Sequence, residues 1–309
     1  MTSSAGTALA CVLDSGEHWE QRVLNLVRSV RWYGGCLADA PFVARAVSEP
    51  SAAFRRTLDG LDARVELVTP TWPDRPFMNK TLALASSADD WRVILLDCDT
   101  VVVGDLSALI GDNNQLIAKP VDVDPFTRQE WLALETSSGW DLGRDRLRTT
   151  CTGRTTATYL NTGVLSVGPE IRSELQTNWV RAFPALDAAV RSIRPERAFY
   201  GEQLGFGAAV VATNQARLVA APAELNWPAH LEVDSAALSL DGVPKIIHYH
   251  FMCRGSRVVA PLAPASVQRR LDALAAAQDG DIEQPWGRDP WSGEEIRAAT
   301  ATKRRLAAG

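Results

Sequence analysis

Two aspartates flank a cysteine at Asp97-Cys98-Asp99, directly after the apolar run Val93-Ile94-Leu95-Leu96. In an extended chain the side chains at i and i+2 share a face. Both carboxylates would then leave the end of a buried strand together, with Cys98 turned the other way. Paired hard oxygen ligands suit Mg2+ or Mn2+. An ion held there would neutralise a departing diphosphate. Without a cation, two like charges beside a buried strand are costly. That cost favours a metal site over a plain acidic turn.

Such a pair needs a sheet to carry it. Residues 8–13, 42–47, 65–68 and 93–96 read as short apolar strands, the last at the centre of the sheet. A helix with Val23, Leu26, Val27 and Val30 at helical spacing ends at Gly34-Gly35, and residues 78–88 read as another. Alternating strands and helices imply a doubly wound, Rossmann-like α/β sheet with ligands at the carboxyl ends of its strands. Beyond residue 105 the pattern loosens. Strands are expected at 116–120 and within 158–167, and a last one at 245–250. Helices are expected at 128–134, at 170–193 with an interruption at Pro184, at 197–212 and at 267–277. Residues 139–157 read as a long loop, and the tail from 279 is polar, with Trp286 and Trp291 as docking anchors.

Five blocks in order resemble those of the GT-A-fold glycosyltransferases, most closely the retaining family 8, the glycogenin- and galactosyltransferase-like group. Asp97-Cys98-Asp99 is similar to its D-x-D block, and Asn161-Thr162-Gly163-Val164-Leu165 to its N-[AST]-G-V block. Tyr200-Gly201-Glu202-Gln203 resembles its D-Q block. Leu225-Asn226-Trp227 resembles its L-x-x-x-[WY]-N region loosely, and Ile246-Ile247-His248-Tyr249 the start of its last block. The resemblance implies a GT-A mixed sheet flanked by helices. Residues 1–105 would be a nucleotide-binding half, 106–255 a donor-sugar and acceptor half of the same domain, and 256–309 a C-terminal helix and tail.

It also implies roles. Asp97, Asp99 and His248 would hold Mn2+ or Mg2+, with His250 as understudy to His248. Lys80, one of only four lysines, would contact the nucleotide of a UDP-sugar donor, and Asp14 its base or ribose; a solvated helix residue and a helix cap are their plainer readings. Cys98, inside the D-x-D block, counts with the donor-binding residues. Asn161, Thr162 and Gly163 would line the donor sugar, against the alternative of a simple Asn-x-Gly turn. Gln203 would sit against the anomeric carbon, supported by Glu202, although an exposed helical pair is the plainer reading. Asp122, whose spacing fits slightly better than that of Asp124, would contact sugar hydroxyls. The last block lacks the family's glycine and its K-P-W, so Arg254 or Arg257 would take over the lysine's place on the diphosphate. Retention of configuration is implied too, by a front-face route rather than a double displacement through Glu202 or Asp122.

The composition fits a globular enzyme: 46% hydrophobic and 22% charged residues, with a net charge of −5, disfavour disorder and nucleic-acid binding. No apolar run reaches the ~18 residues of a membrane span. Five cysteines without a C-x-x-C, and no leader-like N-terminus, point to a reducing cytoplasm. The acceptor is left open among a glycan, a lipid-linked glycan, a protein and a small metabolite. Two other readings stand beside this one. Asp97-Cys98-Asp99-Thr100-Val101 literally matches the nucleophile motif of haloacid-dehalogenase phosphatases, with Asp97 as nucleophile. A non-catalytic nucleotide-sugar-binding module is the other.

Overall fold

The computed structural model describes residues 6–85, 89–144, 146–229, 242–250, 252–254, 257–260 and 263–277. Its strands are β1 (Thr7–Leu13), β2 (Phe42–Ala46), β3 (Ala63–Leu67), β4 (Arg92–Leu96), β5 (Thr100–Val102), β6 (Gln115–Pro120), β7 (Leu147–Arg148), β8 (Thr155–Thr156), β9 (Leu160–Val167), β10 (Arg217–Ala220), β11 (Trp227–Pro228), β12 (Ile246–His248), β13 (Cys253–Arg254) and β14 (Arg257–Val258). The α-helices are α1 (Glu17–Tyr33), α2 (Ala52–Asp59), α3 (Arg128–Ser138), α4 (Pro169–Ile193), α5 (Gly201–Ala212) and α6 (Ala265–Ala276). Seven strands form a mixed sheet in the order β10-β6-β9-β4-β1-β2-β3, flanked by helices. The apolar run of β4 takes the central place, with every residue buried.

The chain divides into two interleaved units, and both draw on segments from either side of residue 105. The first comprises Met1–Ala8, Pro70–Leu95 and Leu109–Ala221. Its core gathers Phe126, Trp131, Tyr159, Leu186 and Tyr200. Thr127 and Glu130 form a capping box that starts α3, and Gly139 in a left-handed conformation ends it,. Pro184 does not interrupt α4, which runs unbroken through 25 residues. An interior proline costs about 3 kcal/mol, and packing along α5 outweighs it. Glycines let the backbones close: a Cβ at Gly205 would lie 3.1 Å from the Cα of Phe183, and one at Gly207 only 1.9 Å from the Thr158 carbonyl oxygen,. The segment expected as a helix from residue 78 is instead a 3-10 run, Pro76–Leu84. Another 3-10 turn, Pro195–Tyr200, precedes α5.

The second unit comprises Leu9–Thr69, Leu96–Ala108 and Pro222–Gly309. Within it β1 pairs with β2 and β2 with β3, all parallel; Gly34 closes the last turn of α1 by donating to the Val30 carbonyl at 2.8 Å, and Gly35 then turns left-handed with φ 60°. A three-stranded sheet, β11-β12-β5, packs with Val267, Leu271 and Leu274 of α6. The tail from 279, with Trp286 and Trp291, lies outside the described residues.

Candidate active site

The chain leaves β4 in a turn, not in the extended form on which a shared face for Asp97 and Asp99 would depend. Both the backbone N–H and the hydroxyl of Thr100 donate to the Asp97 carbonyl, at 3.0 and 2.7 Å. β5 then runs antiparallel to β12, with Thr100 opposite His248. On the other side of β12, β11 places Pro228 beside His248. The Tyr249 N–H donates to the Asp99 carbonyl at 3.0 Å, so the backbone itself holds Asp99 against the 248–250 segment.

Three side chains converge there. His248 Nε2 lies 3.2 Å from Asp99 Oδ1, and His250 Nδ1 lies 3.4 Å from Asp99 Oδ2. The two imidazole rings stack with centroids 3.8 Å apart. The strand ends at His248, and His250 reaches Asp99 from a left-handed backbone with φ 49°, not along an extended strand. Burial pushes the Asp99 carboxyl up, but the charges and hydrogen bonds of His248 and His250 outweigh it and hold Asp99 well below the usual range. His248 Nδ1 faces Asn226 Oδ1 at 3.1 Å, and both residues are buried. With that oxygen as acceptor for Nδ1–H, Nε2 is the nitrogen that faces the carboxylate, as a donor when it carries a proton or as a ligand when a metal ion takes that proton's place,. One ligand atom from each of Asp99, His248 and His250 falls within 4.8 Å of the others, the one such group among the described residues. This donor set fits a divalent ion.

Asp97 is half-buried and stands outside that group. Its charge contributes to raising the thiol of Cys11, after burial. Burial first, then Asp99, keeps the Cys98 thiol protonated,. Asp14 accepts from the Ser15 N–H at 2.8 Å. It does not cap α1, whose N-cap is Gly16, without a side-chain cap. Arg254 lies in β13, and Arg257 in β14 pairs with Asp272 at 2.7 Å on the surface.

The first unit gathers the remaining candidates. β6 and β9 are antiparallel, with Ala118 opposite Leu165 but Lys119 opposite Asn161. A bulge therefore absorbs residues 162–164, and bulges re-aim side chains. Asn161 Oδ1 accepts from the Gly163 N–H at 2.9 Å. Thr162 joins two charges: Lys80 Nζ donates to its hydroxyl at 3.2 Å, and that hydroxyl donates to Glu202 Oε2 at 3.0 Å. Lys80 and Glu202 themselves lie 3.8 Å apart. Lys80 is thus no solvated helix residue, and Glu202, at the start of α5, is buried and not an exposed helical neighbour. Gln203 beside it is half-buried.

Asp122 and Asp124 diverge in their surroundings. Asp122 Oδ1 takes a short hydrogen bond from the buried Lys119 ammonium and another from the Thr150 hydroxyl at 2.8 Å, with Cys151 Sγ 3.7 Å away. Asp124 accepts from the Phe126 N–H, the Trp131 indole and the Thr156 hydroxyl, a set that fixes the start of α3. The stretch expected as a loop at 139–157 carries the β7–β8 hairpin, whose turn is pinned to Asp122. Lys119, Thr150 and the role of Asn226 escape a reading of the sequence. The scarcity of lysine is the one signal that could have found Lys119, since a lysine inside an apolar strand demands a buried partner.

No protein-family model matches the chain, and no curated protein matches it. Solved structures do. Galactosyltransferase LgtC, solved with donor and acceptor sugar analogues, is 16% identical over 89% of this chain and 98% of its own, with a TM-score of 0.53. The glycosyltransferase GlyE of Streptococcus pneumoniae TIGR4 is 12% identical over 97% of this chain and 64% of its own, with a TM-score of 0.54. The bifunctional glycosyltransferase WbbM is 14% identical over 96% of this chain and 52% of its own, with a TM-score of 0.50. These likenesses do not favour the phosphatase reading of Asp97. Among the described residues no helix is long and apolar enough to cross a membrane. The chain has the fold of GT-A-type glycosyltransferases.

Proposed function

We propose that this chain is a metal-dependent glycosyltransferase that moves a hexose from a UDP-sugar to an acceptor hydroxyl with retention of anomeric configuration. The observation that carries this reading is Asp99 meeting two imidazoles at the turn that leaves the central strand, in a chain with a glycosyltransferase fold. Asp99 and His248 would hold the divalent ion. When bound, that ion would supply positive charge to the diphosphate as the sugar–phosphate bond breaks. Arg254 or Arg257 would supply a guanidinium to the same diphosphate. The surface pairing of Arg257 with Asp272 is weak enough to yield to it.

On the sugar side, Asn161, Thr162 and Gly163 line the hexose, and Gln203 lies against the anomeric carbon. Glu202 and Asp122 are each charge-paired with a lysine, Lys80 and Lys119 respectively. A carboxylate committed to an ammonium is a poor nucleophile, which supports the front-face route over a double displacement. In that route the departing phosphate oxygen receives the acceptor proton and no protein base is needed. Lys80, tied to Thr162 and Glu202, positions this network and serves the donor phosphate as a point charge.

A panel of UDP-sugars, with and without Mn2+, tests the reading through released UDP in the wild type and in Asp99→Ala. We expect release from at least one UDP-hexose that requires metal and is lost in the variant. Equal release by both proteins would overturn the metal assignment. An inverted product, seen by NMR, would overturn retention.

A further inference from the structure

Two features of the metal-facing cluster go beyond an aspartate and one histidine. The first is the pair of imidazoles on a single carboxylate, Nε2 of His248 on Oδ1 and Nδ1 of His250 on Oδ2. The second is the backbone at His250, which takes φ 49°. A side-chain-bearing residue holds that region only where the surroundings impose it. Here it follows directly after Tyr249, which is fully buried beneath Arg22 and hydrogen-bonded to the Asp99 backbone. The buried tyrosine fixes the chain, and the left-handed turn after it returns the next imidazole to Asp99. In an extended continuation the ring would depend on strand pairing that ends at His248.

Taking the proposed metal dependence as its basis, we infer that His250 is the third protein ligand of the ion, in place of Asp97, so that the site is a two-histidine, one-carboxylate centre selective for first-row transition ions over Mg2+. The ligand atoms of Asp99, His248 and His250 all lie within 4.8 Å of one another, and Asp97 stands outside that set. Imidazole nitrogen suits the transition ions, whereas Mg2+ prefers oxygen ligands in a near-ideal octahedron. Trading a carboxylate for an imidazole therefore shifts the preference away from Mg2+. Asn226 orients one ring from behind, the usual device for fixing a ligating histidine.

The test reads metal binding directly and requires no sugar. Co2+ is titrated into the metal-free full chain and followed by its visible absorption, with Mg2+ as competitor. His250→Asn is the informative variant, because asparagine tolerates a left-handed backbone while removing the imidazole; an unchanged circular dichroism spectrum and melting temperature control for folding. Losing even an outer-shell partner of a ligand lowers metal affinity on the order of 10- to 100-fold, so His250→Asn is expected to lose at least about that. Asp97→Asn is expected to keep most of the affinity, and a large excess of Mg2+ to leave the Co2+ spectrum in place. Wild-type Co2+ affinity in His250→Asn would overturn the inference. So would a loss in Asp97→Asn as large as in Asp99→Asn, or ready displacement by Mg2+. The two readings fail separately. A His250-dependent Co2+ spectrum with no UDP release from any UDP-sugar would leave this centre standing and remove the transferase. Metal-dependent UDP release that is indifferent to His250 would do the reverse.

Discussion

Asn226 and His248 are buried together, with the amide oxygen 3.1 Å from Nδ1 of the ring. That contact gives Nδ1 an acceptor and leaves Nε2 as the nitrogen that faces Asp99. Replacing Asn226 by alanine removes the acceptor without touching a ligand. We expect the affinity for Mn2+ to fall on the order of 10- to 100-fold, while Asn226→Asp, which keeps an acceptor, retains most of it. Calorimetric titration of the metal-free protein measures both. Unchanged affinity in Asn226→Ala would show that the ring needs no support from behind.

Thr162 is the hinge of the sugar-side network, accepting from Lys80 and donating to Glu202. Thr162→Val keeps the shape and deletes the hydroxyl. Two nearly buried charged groups then each lose a hydrogen bond, a cost of about 1–3 kcal/mol. Urea unfolding of the two proteins gives the difference. A valine variant as stable as the wild type would mean that the hydroxyl is dispensable to the pair.

The central strand, α1 and the strand bearing His248 are legible in the sequence because each is a local pattern: an apolar run, a 3.6-residue period, a glycine stop. The 139–157 segment is not, since its hairpin is held by Asp122, which no local pattern links to Thr150. Pro184 misleads for a related reason. Its local cost is readable, but the glycine-lined contact of α5 that offsets it is distant in sequence. At the cluster of Asp99, His248 and His250 the residue types are readable and the geometry is not. Periodicity of two predicts that Asp97 and Asp99 share a face. A turn made by the Thr100 hydroxyl and N–H breaks that period after β4, and a left-handed residue breaks it again after His248. The first break leaves Asp97 outside the convergent set, and the second admits His250 to it.

Lys119 has 1% of its side chain exposed and bonds to Asp122 at 4%. Truncating one member of a buried pair leaves the other uncompensated, which costs about 3–5 kcal/mol. Lys119→Met should therefore destabilise by that amount and free the β7–β8 hairpin, since Thr150 hangs on the same carboxylate. Lys119→Met with Asp122→Asn should recover part of the loss, because no charge is left stranded. A double-mutant cycle in urea, with limited proteolysis across 147–156, measures both effects. Strict additivity would mean that the two residues do not act as a pair.

Asp124 carries a pH signature of opposite sign to that of a salt-bridged carboxylate. Burial raises its pKa, and the hydrogen bonds from Thr156, Phe126 and Trp131, with the charge of Arg197, only partly offset it. The folded state therefore holds the proton to higher pH than the unfolded chain, whose carboxylate titrates near about 3.9. Between those two values the folded state binds more protons, so stability falls as pH rises through the window and stays lower above it. Asp124→Asn keeps an acceptor for the indole and the hydroxyl but cannot ionise. Relative to the wild type, the variant should gain stability as pH is raised from below the unfolded value toward neutrality. Urea midpoints of both proteins across that range give the comparison. A difference that is constant with pH, or that moves the other way, would mean that the hydrogen bonds outweigh burial and that Asp124 is ionised in the fold at no cost.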